Sequence, residues 1–212
     1  MKGDSIKKDD LLLFKIITLG DSEVGKTSII KRCVYNSFDY NIMSTVGMNF
    51  SNYELTLKNN QKIILRIVDT AGQEKYKSLG KGYFKNADGV LFVFAVNNKD
   101  SFENIKSWIA LFEESNNSSL NIPKVLVGNK SDLESEVEEG TIDIFLENNP
   151  NFMYKLTSAK KEEDNNIKEL FQELGEKIYE NFKKTENIKT KNIKLMDGKQ
   201  TKKSCCVSKL ML

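Results

Sequence analysis

Short apolar runs recur along the chain and read as strands: residues 12–19, 63–68, 90–96, 125–127 and, more weakly, 152–156. Between 50 and 57 the pattern changes, and Tyr53, Leu55 and Leu57 alternate with Asn52, Glu54 and Thr56, the period of an edge strand with one wet face. The pair Asn59-Asn60 then predicts a hairpin turn into a strand starting near Lys62. Helical spacing fills the gaps: Ser101, Asn104, Ile105, Trp108, Ile109 and Phe112 form one face, and Ile167, Leu170, Phe171, Leu174, Ile178 and Phe182 another, which ends where a Lys/Asn-rich segment begins. This alternation predicts an α/β fold with a mostly parallel six-stranded sheet, one antiparallel edge strand and helices on both faces. No internal repeat is visible, and Asn116-Asn117-Ser118-Ser119 reads as a loop whose N-x-S sequon a cytosolic chain does not use.

Size changes this picture little. With 212 residues, 39% of them hydrophobic, the chain can build one core with a tail to spare. Residues 1–10 are polar and charged, the organisation expected is 1–10 as an extension, 11–182 as one domain and 183–212 as a flexible tail, and no apolar run reaches eighteen residues. A soluble, unsecreted protein is the expectation. The cysteines, Cys33 and the adjacent Cys205 and Cys206, make no disulfide framework and suit a reducing cytosol. Histidine is absent, which excludes Ser-His-Asp and Cys-His catalysis and His-containing zinc sites.

Charge changes it more. The net +2 conceals nine Lys against Glu186 and Asp197 in residues 183–212, a net +7 that leaves −5 on residues 1–182. A mildly acidic body with a basic tail is unlike a nucleic-acid-binding domain and suits a tail drawn to an anionic membrane surface.

The candidate chemistry begins after the first strand. Gly20-Asp21-Ser22-Glu23-Val24-Gly25-Lys26-Thr27 matches G-x-x-x-x-G-K-[ST], and Ser28 starts an apolar-rich stretch able to open a helix. The glycines permit turns that aim the amides of Ser22 to Ser28 at an anion on a helix N-terminus. Lys26 then reaches the β- and γ-phosphates, and the Thr27 hydroxyl ligates Mg²⁺. Past the 63–68 strand comes Asp69-Thr70-Ala71-Gly72-Gln73-Glu74, where Asp69 can hold Mg²⁺ through water and the Gly72 N–H can sense a γ-phosphate. Alone, an Asp before Ala-Gly reads as a turn or cap residue.

Asn129-Lys130-Ser131-Asp132 lies near the end of the fifth strand. It supplies a carboxylate able to accept from a guanine N1–H and 2-amino group, with the Lys130 stem along the base; adenine has no such donor pair. Ser158-Ala159-Lys160 follows the sixth and can present the Ala159 N–H to guanine O6. Either string alone is a common polar turn. Four motifs in one order, each just past a strand, are what carry weight.

On those motifs, residues 12–182 resemble the Ras superfamily of small GTPases, which have a P-loop NTPase-type fold. Ser44-Thr45-Val46-Gly47-Met48-Asn49-Phe50, Gln73-Glu74-Lys75-Tyr76 and Tyr83-Phe84-Lys85-Asn86-Ala87 are similar to Rab segments. The resemblance implies that GTP or GDP binds with Mg²⁺, that Thr45 closes on the metal and the γ-phosphate, that Phe38 packs on the guanine and that Gln73 orients the attacking water. It implies Gln73, Lys26 and Thr45 as the catalytic group, and slow hydrolysis aided by a GAP, since no Arg finger is evident in cis. An exchange factor, effectors reading the two switches (38–50 and 70–85), a GDI-type escort and a monomeric state are implied as well, in vesicle and membrane traffic. So is a partner-reading patch of Phe50, Tyr83 and the residue before Asp69, here Val68 where Rabs usually carry Trp. Other small-GTPase families fit less well: Met1-Lys2-Gly3 lacks a myristoylated start, no extra helix fits between Asp132 and Ser158, and the tail has no acidic ending.

The tail ends in Ser204-Cys205-Cys206, which looks like a Rab prenylation pair, yet Val207 to Leu212 follow it and no C-a-a-X signal is present. Two lipids and a polybasic stretch would anchor stably where one chain would not. Three rival readings stand beside this one: a P-loop kinase or ATPase, a GTP-holding scaffold with little turnover, and a non-Rab Ras-like signalling GTPase.

Overall fold

The computed structural model describes residues 11–40, 45, 47–70, 82, 84–116, 122–161 and 165–203, the last stretch from 188 onward as backbone alone. Six strands form one sheet: β1 Leu12–Leu19, β2 Met48–Thr56, β3 Lys62–Thr70, β4 Gly89–Ala95, β5 Lys124–Asn129 and β6 Phe152–Leu156. Their spatial order is β2-β3-β1-β4-β5-β6, and only the β2–β3 pair is antiparallel. The expected architecture is therefore observed. Strands β1 and β4 lie inside the sheet, and every residue of β4 is buried, as a continuous apolar run requires of a strand covered on both sides. The β2–β3 hairpin turns through residues 58–60: the Asn60 N–H donates to Leu57 O at 2.9 Å, and Asn60 takes the left-handed conformation (φ 64°) that asparagine tolerates.

Helices cover both faces. On one, α2 Lys99–Glu103, α3 Ile105–Ser115 and α4 Glu139–Asn148 bring Phe102, Trp108, Phe112, Ile142 and Phe145 onto Leu19, Phe92 and Phe94. On the other lie α1 Lys26–Tyr35 and the first turns of α5 Asn166–Lys203, whose Leu174 and Ile178 approach Gly89 so closely that a Cβ there would stand 2.8 Å from Ile178.

The helices depart from expectation in three ways. The face from Ser101 to Phe112 is split at Asn104, whose backbone carbonyl accepts from both Ser107 and Trp108 while its side chain leaves the helix to reach Asp21. Helix α4 was not expected, because it buries only Ile142 and Phe145, too few positions to show a period. The last helix does not stop at Phe182 but runs to Lys203, through a segment with no Pro and no Gly before Gly198 and with many good helix formers. Residues to Ile178 and from Tyr179 onward make two separate compact units. Among the described residues, no helix is long and apolar enough to cross a membrane.

Candidate functional site

Parallel strands all end at the same edge, so the loops after β1, β3, β5 and β6 are neighbours although far apart in sequence. They surround a cleft of about 400 Å³ whose lining includes Ser22, Glu23, Gly25, Lys26, Thr27, Ser28, Phe38, Thr45, Asn129, Lys130, Asp132, Ala159 and Lys160, all expected from sequence. Asp39, Tyr40, Thr70 and Leu133 line it too and were not expected. Val24 and Ser158 are buried behind the wall. Gly72, Gln73, Cys205 and Cys206 lie outside the described residues.

The Gly-rich loop holds its shape because two of its residues have no Cβ. Gly25 caps α1 at φ 96°, and a Cβ there would stand only 2.2 Å from the Asn129 amide nitrogen. At Gly20 (φ 147°) it would meet Val93 O at 2.1 Å. Lys26 folds back over this loop, its ammonium donating to Gly20 O at 2.9 Å and Asp21 O at 2.6 Å. Burial lowers its pKa to about 8, against the opposing pull of Asp69 and Asp21. An ammonium held this way, with no carboxylate bonded to it directly among the described residues, is available to an incoming polyanion. Asp21 itself is fixed from behind, by Asn104 Nδ2 and the Trp108 indole N–H, both at 2.8 Å.

Beside Lys26 sits a trio of oxygen donors. Thr27 Oγ1 donates to Asp69 Oδ2 at 2.7 Å, and the Thr45 hydroxyl stands 2.8 Å from that of Thr27. The other carboxylate oxygen, Asp69 Oδ1, is buried with no hydrogen-bond partner. Burial raises the Asp69 pKa, opposed by the Thr27 hydrogen bond and by Lys26 and Lys31. A buried carboxylate with an orphaned oxygen beside two hydroxyls fits a small hard cation, since Mg²⁺ takes one or two carboxylates with hydroxyls, phosphates and water. Among the described residues no cluster of three His, Cys, Asp or Glu side chains could hold a metal, so the hydroxyls are integral to this donor set.

The far end of the cleft is cross-tied. Asn129, buried, donates through Nδ2 to Val24 O at 2.9 Å, while its Oδ1 accepts from Thr157 Oγ1 and from the Ala159 N–H, each at 3.3 Å. Its side chain thus joins the Gly-rich loop to the 158–160 loop. Ser158 Oγ donates to Asp132 Oδ1 at 2.6 Å, fixing that carboxylate at the cleft wall. Phe38 and Tyr40 meet edge to face at 5.2 Å, with the Lys160 ammonium 5.9 Å from the Tyr40 ring centre. Sequence reasoning missed Arg32, which is buried and donates to Ala159 O and Lys160 O; a lone basic residue on an amphipathic helix gives no such signal.

The patch inferred around Val68 needs correction. Val68 is fully buried and packs with Ile17, Leu19 and Phe84, so it offers partners no surface. Its cross-strand neighbour Phe50 is 55% exposed, and Tyr83 lies outside the described residues.

A Gly-rich loop opening a helix, a buried Lys and a hydroxyl–carboxylate trio at the carboxyl edge of such a sheet define a P-loop nucleotide-binding protein. The Ras family model matches residues 15–180. Ras-related protein Rab-9A of Mus musculus is 32% identical over 198 residues, 92% of this chain and 97% of its own. Rab-13 of Canis lupus familiaris is 36% identical over 169 residues (78% and 80%), and Rab-11B of Dictyostelium discoideum 36% over 167 (79% and 74%). The chain belongs to the Ras family, among its Rab-type members, and is a GTPase.

Proposed function

We propose that this chain is a Rab-type GTP/GDP switch acting on the cytosolic face of an intracellular membrane in vesicle traffic. The observation that supports it most is the convergence of Lys26, Thr27, Thr45 and Asp69 at one end of a cleft whose other end holds Asp132, Ala159 and Phe38. In this reading the amides from Ser22 to Ser28 and the Lys26 ammonium bind the phosphates, and Asp132 and the Ala159 N–H read the guanine between Phe38 and Lys130. Thr27, Thr45 and Asp69 would hold Mg²⁺, which would supply neutralisation of phosphate charge there. Gln73 orients the attacking water and Gly72 senses the γ-phosphate, both from the segment after Asp69. Positioning and charge neutralisation suffice for slow hydrolysis, and a GAP supplies the rest.

Residues 11–182 form the switch body in this reading, and the switch segments present the nucleotide state to effectors, an exchange factor and an escort protein. The Lys-rich tail and a lipidated Cys205-Cys206 pair carry membrane attachment. Full-length protein tests the nucleotide half: with Mg²⁺ present, a fluorescent GDP bound to it should be displaced by GDP or GTP and not by equal ATP. Displacement by ATP would reject the guanine reading. An N-terminal fluorescent fusion in its native cell tests the membrane half: it should mark a membrane compartment and become diffuse when Cys205 and Cys206 are both changed to Ser. An unchanged pattern in that variant would reject lipid anchoring.

A further inference from the structure

Arg32 lies in the last turn of α1, away from the phosphate end, and is buried with 7% of its surface exposed. Its guanidinium spans three backbone carbonyls: Nε donates to Ala159 O at 3.0 Å, Nη1 to Asn36 O at 3.0 Å, and Nη2 to Lys160 O at 3.4 Å. All three of these partners are neutral, so the burial of the charge is balanced by carbonyl dipoles in fixed places. Two of the three belong to the loop that follows β6. The third, Asn36, is the left-handed cap of α1 (φ 50°), two residues before Phe38, and its own N–H returns to Arg32 O at 3.1 Å.

One planar fork therefore fixes both walls of the far end of the cleft. On one side it sets where Ala159 and Lys160 stand relative to α1, and on the other where the chain leaves toward Phe38 and Tyr40. Among the described residues, the other side chain that holds Ala159 by a hydrogen bond is Asn129, through a 3.3 Å contact that, like the 3.4 Å one from Arg32 to Lys160, lies at the long end of the range. The 3.0 Å bonds of Arg32 to Ala159 O and Asn36 O are therefore the firmest ties here. A lysine ammonium is a compact point donor and cannot span three carbonyls as a planar guanidinium does.

We propose that Arg32 is a positioning residue for base recognition, holding the Ala159–Lys160 loop where the Ala159 N–H meets the 6-oxo group of guanine. The inference rests on reading the cleft as a guanine-nucleotide site. Arg32 does not touch the base; it acts on one edge of it. Removing it should weaken recognition of the 6-position and leave the 2-amino group, which Asp132 reads, as well recognised as before.

The test compares the affinities of GDP, 6-thio-GDP, which replaces the oxygen by a poorer acceptor, and IDP, which lacks the 2-amino group. Full-length wild type, Arg32→Met and Arg32→Lys are measured with Mg²⁺. Wild type should prefer GDP over both analogues. In Arg32→Met the GDP preference over 6-thio-GDP should shrink about three- to tenfold, the worth of one neutral hydrogen bond, with the preference over IDP unchanged. Arg32→Lys should fall between, and it carries the test alone if the Met variant does not fold. Equal weakening toward all three nucleotides, or no change in either ratio, would overturn the proposal by leaving Arg32 a purely structural role or none. A wild type that does not distinguish GDP from 6-thio-GDP would instead remove the assignment of the Ala159 N–H to the base, and the proposal with it.

Discussion

Replacing Asp69 by Asn separates what this residue does for the fold from what it does for a metal. In the metal-free protein two effects oppose each other. Asp69 Oδ1 is a buried, unpartnered oxygen on a carboxylate whose pKa burial has already pushed up, and such a group costs about 1–3 kcal/mol. A neutral amide removes the charge part of that cost, but with its oxygen on Thr27 its NH₂ stands unpartnered where Oδ1 was, so the relief is partial. Against it, the 2.7 Å bond from Thr27 Oγ1 weakens from a charged to a neutral acceptor, a loss of about 1 kcal/mol, and Lys26 loses a favourable charge. The net change in the absence of metal is within about 1 kcal/mol, or about 2–4 °C in melting temperature for a domain of this size.

With Mg²⁺ the balance changes. Nothing then offsets the loss of the negative charge, and removing a group that supports a bound metal through water typically lowers its affinity 10- to 100-fold. The assay is release of fluorescent GDP measured across a titration of free Mg²⁺, with melting in EDTA as control. Asp69→Asn should shift the Mg²⁺ midpoint upward at least tenfold while its melting temperature in EDTA stays close to wild type. An unmoved midpoint, or a variant that melts far lower in EDTA, would refute the reasoning, since Asp69 would then be serving the fold instead of a cation.

Lys26 gives a pH prediction for the ligand-free protein. Its folded pKa, about 8, lies below the unfolded value of 10.5, so between those pH values the unfolded chain holds a proton that the folded one has released. Stability should rise across that window by up to about 3 kcal/mol, a rise absent from Lys26→Met in denaturant titrations at pH 7.5 and 10. Nucleotide binding should run the other way, since phosphates hold the ammonium charged: calorimetry at pH 9 in two buffers of different ionisation heat should show proton uptake on GDP binding. Gly25→Ala forces a Cβ into the Asn129 amide at a left-handed position and should weaken GDP binding at least 100-fold, read by GDP competition. Gln73→Leu should slow single-turnover GTP hydrolysis at least tenfold with GTP affinity held within about threefold.

Sequence shows the cleft clearly because each of its motifs is a local string placed just after an apolar run, and a parallel sheet turns that order into proximity. Lys26, Thr27, Asp69, Asp132 and Ala159 could therefore be named in advance, and the structure brings them together. What sequence hides is the support behind them. Asn129 looks like part of a base-reading string, yet its amide joins Val24 to Ala159, a tie across more than a hundred residues. Trp108 looks like a core residue of α3, which it is, but its indole N–H also holds Asp21 in the Gly-rich loop. No periodicity encodes a hydrogen bond between elements that meet only after folding. The same limit hides Val68, whose identity could be read while its burial depends on what covers β3.

The distribution of these ties bears on switching. The base end is densely tied: among the described residues the Asn129 side chain makes three hydrogen bonds and that of Arg32 three, and Ser158 joins Asp132 to the backbone of Lys161. At the phosphate end Lys26, Thr27 and Asp21 are tied as well, whereas Thr45, among the described residues, meets that end through its hydroxyl contact with Thr27. A single contact of that kind contributes about 1 kcal/mol, a factor of about five in population, whereas moving a segment from 1:99 to 99:1 takes about 5.5 kcal/mol. In the switch reading proposed above, that contact alone would not commit Thr45 to its place, and the difference would come from contacts made with one nucleotide state. A terminal phosphate, together with a cation that Thr27 and Asp69 would hold, could supply it. In that reading nucleotide identity is held by the densely tied base end, and nucleotide state is reported through Thr45.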